Sequence, residues 1–149
     1  MSDDNIWSED WGEQGEDWSG GGGLAKALPR GEALGATVYE LRRGNFGVYH
    51  FHHRGEELLI VLVGRPTLRT PAGSRVLEPG DVVHFPIGPT GAHRLTNDSD
   101  EPTRFVMVST RGAPEVVEYP DLGQITVQGP EGSQTGDELW FIHNVESAE

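Results

Sequence analysis

Four side chains of the 149-residue chain are of types that together could hold a metal ion: His50, His52, Glu57 and His93. His50 and His52 lie two apart, so on an extended strand both imidazoles point to one side, while Tyr49 and Phe51 point to the other. Glu57 opens the next apolar stretch, where a hairpin would bring its carboxylate against the two imidazoles. His93 begins a later strand-like segment and can supply a third nitrogen. Three neutral imidazoles and one carboxylate suit one divalent transition metal (Mn, Fe, Co, Ni, Cu or Zn) and leave positions open for water or substrate. The chain has no cysteine, so disulfides and thiolate ligands are both excluded and any metal must rest on His and carboxylate. No separate nucleophile or acid–base pair stands out, and Glu57 is committed to the metal rather than free as a base.

Other polar residues near this set read differently. His53 and Glu56 fall in the connection between ligands and are expected as solvated neighbours. His84, flanked by Val83 and Phe85, is expected as a hydrogen-bonded structural histidine, and His143 as a surface residue beyond the last strand. Arg43, Arg94 and Arg104 are candidates to reach an anionic ligand in a pocket, although the surface is the commoner place for an arginine.

Short extended segments must position these groups. Residues 36–41 alternate and are rich in β-branched and aromatic types. Residues 48–52 follow, then 57–63, which are almost wholly apolar and are expected to be buried on both sides. Further strands are predicted over 67–70, 82–85, 93–97, 103–109, 116–119, 125–128 and 138–142. Glu78-Pro79-Gly80-Asp81 places Pro and Gly where a type II turn wants them. Many short strands, Gly and Pro punctuation and the lack of a long helical period predict an all-β chain, an antiparallel sandwich or barrel of two sheets.

The length is that of one domain with a single core. No apolar run is long enough to span a bilayer, and the acidic start does not read as a secretory signal, so a cytoplasmic protein without a membrane partner is expected. A net charge of −13 argues against nucleic acid as a partner. The charge is uneven: seven acids and no bases lie in the first 17 residues. Residues 1–23 therefore read as an acidic, Trp- and Gly-rich arm ending in Gly20-Gly21-Gly22-Gly23, with the domain proper over 24–149. The arm is either a disordered tail or a docking segment whose Trp7, Trp11 and Trp18 seat it on the barrel, a sister subunit or a partner.

The same residues resemble the cupin superfamily. Its first motif, Gly-x5-His-x-His-x3–4-Glu-x6-Gly, is met by His50, His52, Glu57 and Gly64, with the leading glycine nearer than usual at Gly47 or Gly44. Its second, Gly-x5-Pro-x-Gly-x2-His-x3-Asn, is met by Gly80, Pro86, Gly88, His93 and Asn97. One departure is that Pro89-Thr90-Gly91-Ala92 separates Gly88 from His93 where two residues are usual. The resemblance implies a double-stranded β-helix (jelly-roll) barrel, a homodimer, and a central metal held by His50, His52, Glu57 and His93. It fixes no reaction. Three functions follow as expectations: a metal-dependent enzyme of oxygenase or isomerase type acting on a small molecule; a non-catalytic module that binds or senses a small ligand; or a scaffold working through the arm.

Overall fold

The computed structural model describes residues 2–11, 23–130 and 141–144, the last stretch as backbone only. Among them are twelve strands: β1 (Leu24–Ala27), β2 (Leu34–Leu41), β3 (Phe51–His52), β4 (Glu57–Val63), β5 (Thr67–Thr70), β6 (Gly73–Val76), β7 (Val82–Phe85), β8 (Arg94–Thr96), β9 (Thr103–Thr110), β10 (Glu115–Tyr119), β11 (Gln124–Gln128) and β12 (Phe141–Asn144). A single 3-10 turn, Pro89–Gly91, is the sole helical element among the described residues. No helix among these residues is long and apolar enough to cross a membrane. Trp18, residues 12–22 and 138–140, and the side chain of His143 lie outside the described residues.

The strands form two layers. One is a five-stranded antiparallel sheet in the order β1-β2-β9-β4-β7. The other contains a four-stranded sheet, β12-β11-β10-β3, and a three-stranded sheet, β6-β5-β8. Isolated bridges, His50↔His93 just before β3 and β8 and Phe46↔Thr96 at the end of β8, splice these two sheets together. The all-β jelly-roll expectation is met. Between the layers, alternate residues of β4 and β9 point inward, so that Leu59, Val61, Phe105 and Met107 pack with Leu41, Leu68, Leu77, Phe85 and Leu95.

Two expectations are corrected. β3 and β4 do not form a hairpin: β3 pairs with β10, and β4 lies between β9 and β7 in the opposite layer. The apolar run of β4 draws it into the larger sheet, and residues 53–56 carry the chain across. Nor is β4 buried on both sides. Leu59 and Val61 are 0% and 1% exposed, whereas Leu58, Ile60 and Leu62 on the outer face are only half-buried. β1 and β6 were not readable from sequence, because Leu24-Ala25-Lys26-Ala27 has no β-branched residue and every position of β6 is exposed. The predicted turn at 78–81 forms, with the Asp81 amide donating to the Glu78 carbonyl at 3.0 Å and Gly80 at φ +92°.

Residues 5–11 lie against the outside of the five-stranded sheet. Lys26 Nζ donates to the Asn5 and Ser8 carbonyls at 3.2 and 3.4 Å. Arg104 on β9 donates to the Ile6 carbonyl at 3.3 Å, to Glu9 at 2.7 Å and to Glu40 at 2.8 Å, and its guanidinium lies 4.9 Å from the Trp11 ring centre. Arg104 is thus committed to the outer face and does not reach a pocket. Arg43 is likewise on the surface, paired with Asp100.

Candidate metal centre

The splice between the two smaller sheets is where the histidines meet. His50 and His93 exchange backbone hydrogen bonds at 3.0 and 3.2 Å, so their side chains sit side by side. His52, two residues along, shares the inward face, and its ring centre lies 5.1 Å from that of His50. Glu57 arrives from the opposite layer, as the first residue of β4, with Phe85 and Ser109 as its sheet partners. One donor atom from each of His50, His52 and Glu57 lies within 4.8 Å of the other two. His93 joins through Glu57, its Nε2 standing 3.2 Å from Oε2; His52 Nε2 is 3.3 Å from the same oxygen.

The rings are fixed from behind. His50 Nδ1 donates to the Val48 carbonyl at 2.7 Å, and His93 Nδ1 donates to the Gly91 carbonyl at 2.8 Å. A carbonyl only accepts, so each Nδ1 carries a proton, and each Nε2 is the ring atom left to face the interior. Phe85 stacks on His93 at 3.8 Å between ring centres. His52 Nδ1 faces Glu115 Oε1 at 3.8 Å. The four residues between Gly88 and His93 do not lift His93 out of the interior: Pro89–Gly91 winds into the 3-10 turn, and His93 is 3% exposed.

The electrostatics follow from burial and proximity. Burial, with His93 beside it, pulls His50 down to about 4. Burial works against a charge on His52 too, but Glu115 and Glu57 outweigh it and raise it to about 9. Burial would raise Glu57, yet His52 and His93 hold its carboxyl well below the usual range. Tyr39 is pushed up to about 12 by burial and then by Glu57. Glu115 is lowered: burial works to raise it, but His52 and the Arg54 and Val116 amides prevail.

The donor set fits a cation. His52 Nε2, His93 Nε2 and Glu57 Oε2 are buried without a hydrogen-bond partner among the described residues, although they converge on one another. The two ring nitrogens stand 3.2–3.3 Å from Glu57 Oε2 without an aligned hydrogen bond to it, and one divalent ion would satisfy all three. A cavity of about 150 Å³ surrounds the group, closed on the apolar side by Tyr39, Leu95, Phe105 and Met107. A second, of about 660 Å³, also reaches His52 and Glu57 and is lined by strand and loop residues that include Arg30, Glu32, Thr110, Arg111 and Glu115.

Of the other candidates, Arg94 lines the smaller cavity with its guanidinium over Phe46. His53 and Glu56 stay outside the cluster, but each has a partner: His53 meets Glu118 at 3.0 Å, and Glu56 meets His84 at 2.8 Å. His84 is hydrogen-bonded as expected, though at the surface. Sequence reasoning missed Glu115, whose only signal is its place at the head of β10, two residues before the partner of His52.

These features agree with the comparisons. The Cupin domain family matches residues 37–109, a span that holds all four candidate ligands. Among curated proteins, none matches. A structure provisionally named a sugar phosphate isomerase, from Acidithiobacillus ferrooxidans, is similar with a TM-score of 0.71 and 26% identity, over 84% of this chain and 78% of that one. A sugar phosphate isomerase of the cupin superfamily from Silicibacter pomeroyi gives 0.69 and 24%, over 80% and 76%. A Cupin 2 conserved barrel domain protein from Salinispora arenicola gives 0.54 and 24%, over 62% and 79%. With the two motifs folded into two facing β-layers and their polar residues gathered at one interior point, the chain belongs to the cupin superfamily.

Proposed function

We propose that the protein is a metal-dependent enzyme of isomerase type, acting on a small hydroxylated molecule, with His50, His52, Glu57 and His93 as the ligands of one divalent transition metal. The observation that carries the proposal is the convergence of three buried atoms without a hydrogen-bond partner, His52 Nε2, His93 Nε2 and Glu57 Oε2, on a cavity of about 150 Å³, with a second of about 660 Å³ reaching His52 and Glu57. A divalent cation held there would supply Lewis-acid polarisation of a carbonyl or hydroxyl oxygen. The chain's own part is to keep three nitrogens and one oxygen oriented, through Val48, Gly91 and Glu115, and to exclude water on the side closed by Phe105 and Met107. An isomerase needs no second reactant, which suits a site without a nucleophile beside the metal. The name of the Acidithiobacillus ferrooxidans structure lends support to the isomerase reading over an oxygenase or a non-catalytic ligand sensor.

The same reading treats residues 1–23 as an arm and 24–149 as the barrel, and takes the working form to be a cytoplasmic homodimer. Elemental analysis of purified protein, followed by aldose–ketose interconversion assays across a panel of sugar phosphates, tests it. About one metal per chain and activity abolished by chelation are expected. A chain that takes up no divalent metal, or one whose metal-loaded form leaves every member of the panel unchanged, overturns it.

A further inference from the structure

Acids outnumber bases 24 to 11 in this chain, so an arginine has ample opportunity to find a carboxylate. Arg42, Arg43, Arg65, Arg69 and Arg104 do so. Among the described residues, Arg30, Arg54, Arg75, Arg94 and Arg111 make no salt bridge. Four of these five line or flank the two cavities. Arg30 and Arg111 line the larger cavity. Arg54 lies along the wall beside them, so close that a Cβ on Gly112 would come within 2.3 Å of its Nε. Arg94 lines the smaller cavity, with Nε buried and partnerless. Only Arg75, on exposed β6, stands elsewhere.

The opposing carboxylates are few and mostly occupied. Glu57 belongs to the ligand set. Glu115 accepts from the Arg54 and Val116 amides at 3.3 and 3.0 Å and faces His52. Glu32 is the remaining acid of the larger cavity. Arg111 is held in place, its stem against Gly35 and its Nη1 donating to the Gly31 carbonyl at 2.9 Å, which ties the loop carrying Arg30 to the cavity rim. Two guanidiniums in no ion pair, lining a cavity that reaches His52 and Glu57, match a ligand with a phosphate group at the end remote from the reacting carbon, since a phosphate monoester carries a charge of about −2 at neutral pH and accepts forked hydrogen bonds from arginine.

We propose that Arg30 and Arg111 form the phosphate-recognition site of this enzyme, so that its substrate is a phosphate monoester anchored at the rim with its hydroxylated end toward His52 and Glu57; this rests on the metal-dependent isomerase reading above. The test is calorimetric titration of inorganic phosphate, a hexose 6-phosphate and the same hexose without phosphate into the full chain, metal-loaded and after chelation. The hexose phosphate is expected to bind and the free hexose not to. Arg30→Gln and Arg111→Gln should each weaken the phosphate ester by about tenfold, with Arg75→Gln unchanged and metal content equal in all variants. Arg30 has no hydrogen bond or ion pair within the described fold, so a loss in Arg30→Gln reports recognition, while the unfolding midpoint of Arg111→Gln is followed in parallel. Equal binding of hexose and hexose phosphate, or undiminished binding in Arg30→Gln, overturns the site, and succinate displacing the ester more effectively than phosphate does overturns the choice of phosphate. A chain that takes up no metal but keeps arginine-dependent phosphate binding refutes the isomerase reading and supports the anion site. Metal uptake with arginine-independent phosphate binding does the reverse.

Discussion

On the proposed metal reading, His52 is the residue whose proton opposes uptake. With Glu115 and Glu57 raising it to about 9, it is charged at neutral pH in the metal-free chain, whereas His50, at about 4, is already neutral and Glu57 already ionised. A cation needs the lone pair on His52 Nε2, so uptake at pH 7 must expel that proton. Affinity should therefore climb about tenfold per pH unit below the pKa of His52 and level off above it. Calorimetry at pH 7 in buffers of different ionisation enthalpy should report proton release on metal binding, with about one proton coming from His52; none released would contradict this assignment. Glu115→Gln removes one of the carboxylates that hold the proton and orient the ring. Fewer protons should be released, and metal affinity should fall by about 10–100-fold, the loss in orientation outweighing the easier deprotonation. At this scale much of the site was legible. His50 and His52 share a strand face at a spacing of two, and strand alternation depends only on local backbone geometry. Glu115 was not legible, because its nearness to His52 depends on the register of β10 against β3, which no local pattern encodes.

Among the elements, the least foreseeable contribution is the 3-10 turn ahead of β8. Its Gly88 and Pro89 carbonyls accept from the Gly91 and Ala92 amides at 2.9 and 3.2 Å, taking up the extra residues of the loop before His93. Gly91 is packed so closely that a Cβ would lie 1.8 Å from the Pro86 carbonyl oxygen, a backbone atom that cannot swing aside. Its own carbonyl sets the tautomer and aim of His93. Gly91→Ala should cost about 2–3 kcal/mol in urea unfolding and also weaken metal binding, because the turn must open to admit the methyl group. Thr90→Ala, in the same turn, is the control. Stability and metal affinity unchanged in Gly91→Ala would refute the packing argument. The strands themselves were legible wherever apolar alternation was strong, as in β2 and β9. The β3–β4 hairpin was misread because Glu57 is near His52 in sequence, and in the fold it is near in space as well, but from the facing layer. Short sequence separation and spatial contact agree here for a reason other than direct pairing.

For the molecule as a whole, the unsettled surface is the outer face of the five-stranded sheet. Register lines up Lys26, Val38, Val106, Ile60 and Val82 in one row across it. Burial declines along that row, from Val38 at 0% beside the anchor Lys26 to Val82 at 58% on the β7 edge. The buried end is the end where residues 5–11 lie, held by Lys26 and Arg104. Arg104 is the centre of that attachment, since it joins Glu40 in the sheet to Glu9 and the Ile6 carbonyl outside it. Removing Glu9 alone, as Glu9→Gln, should cost no more than about 1 kcal/mol, because that carboxylate is solvated. Arg104→Ala leaves buried Glu40 only the exposed Arg42, 3.6 Å away, and should cost about 3 kcal/mol, the low end for a broken buried pair. Truncating residues 2–11 uncovers the apolar end of the row and should lower the unfolding midpoint by about 5–10 °C. Light scattering should then show association beyond that of the full-length chain, as the bare sheet face seeks cover. Metal content per chain should stay the same, because the four candidate ligands sit on the inner side of this sheet or in the opposite layer. Loss of metal on truncation would mean that the arm supports the site through the sheet, and an unchanged midpoint and association state would mean that residues 2–11 contribute nothing to the stability of the barrel.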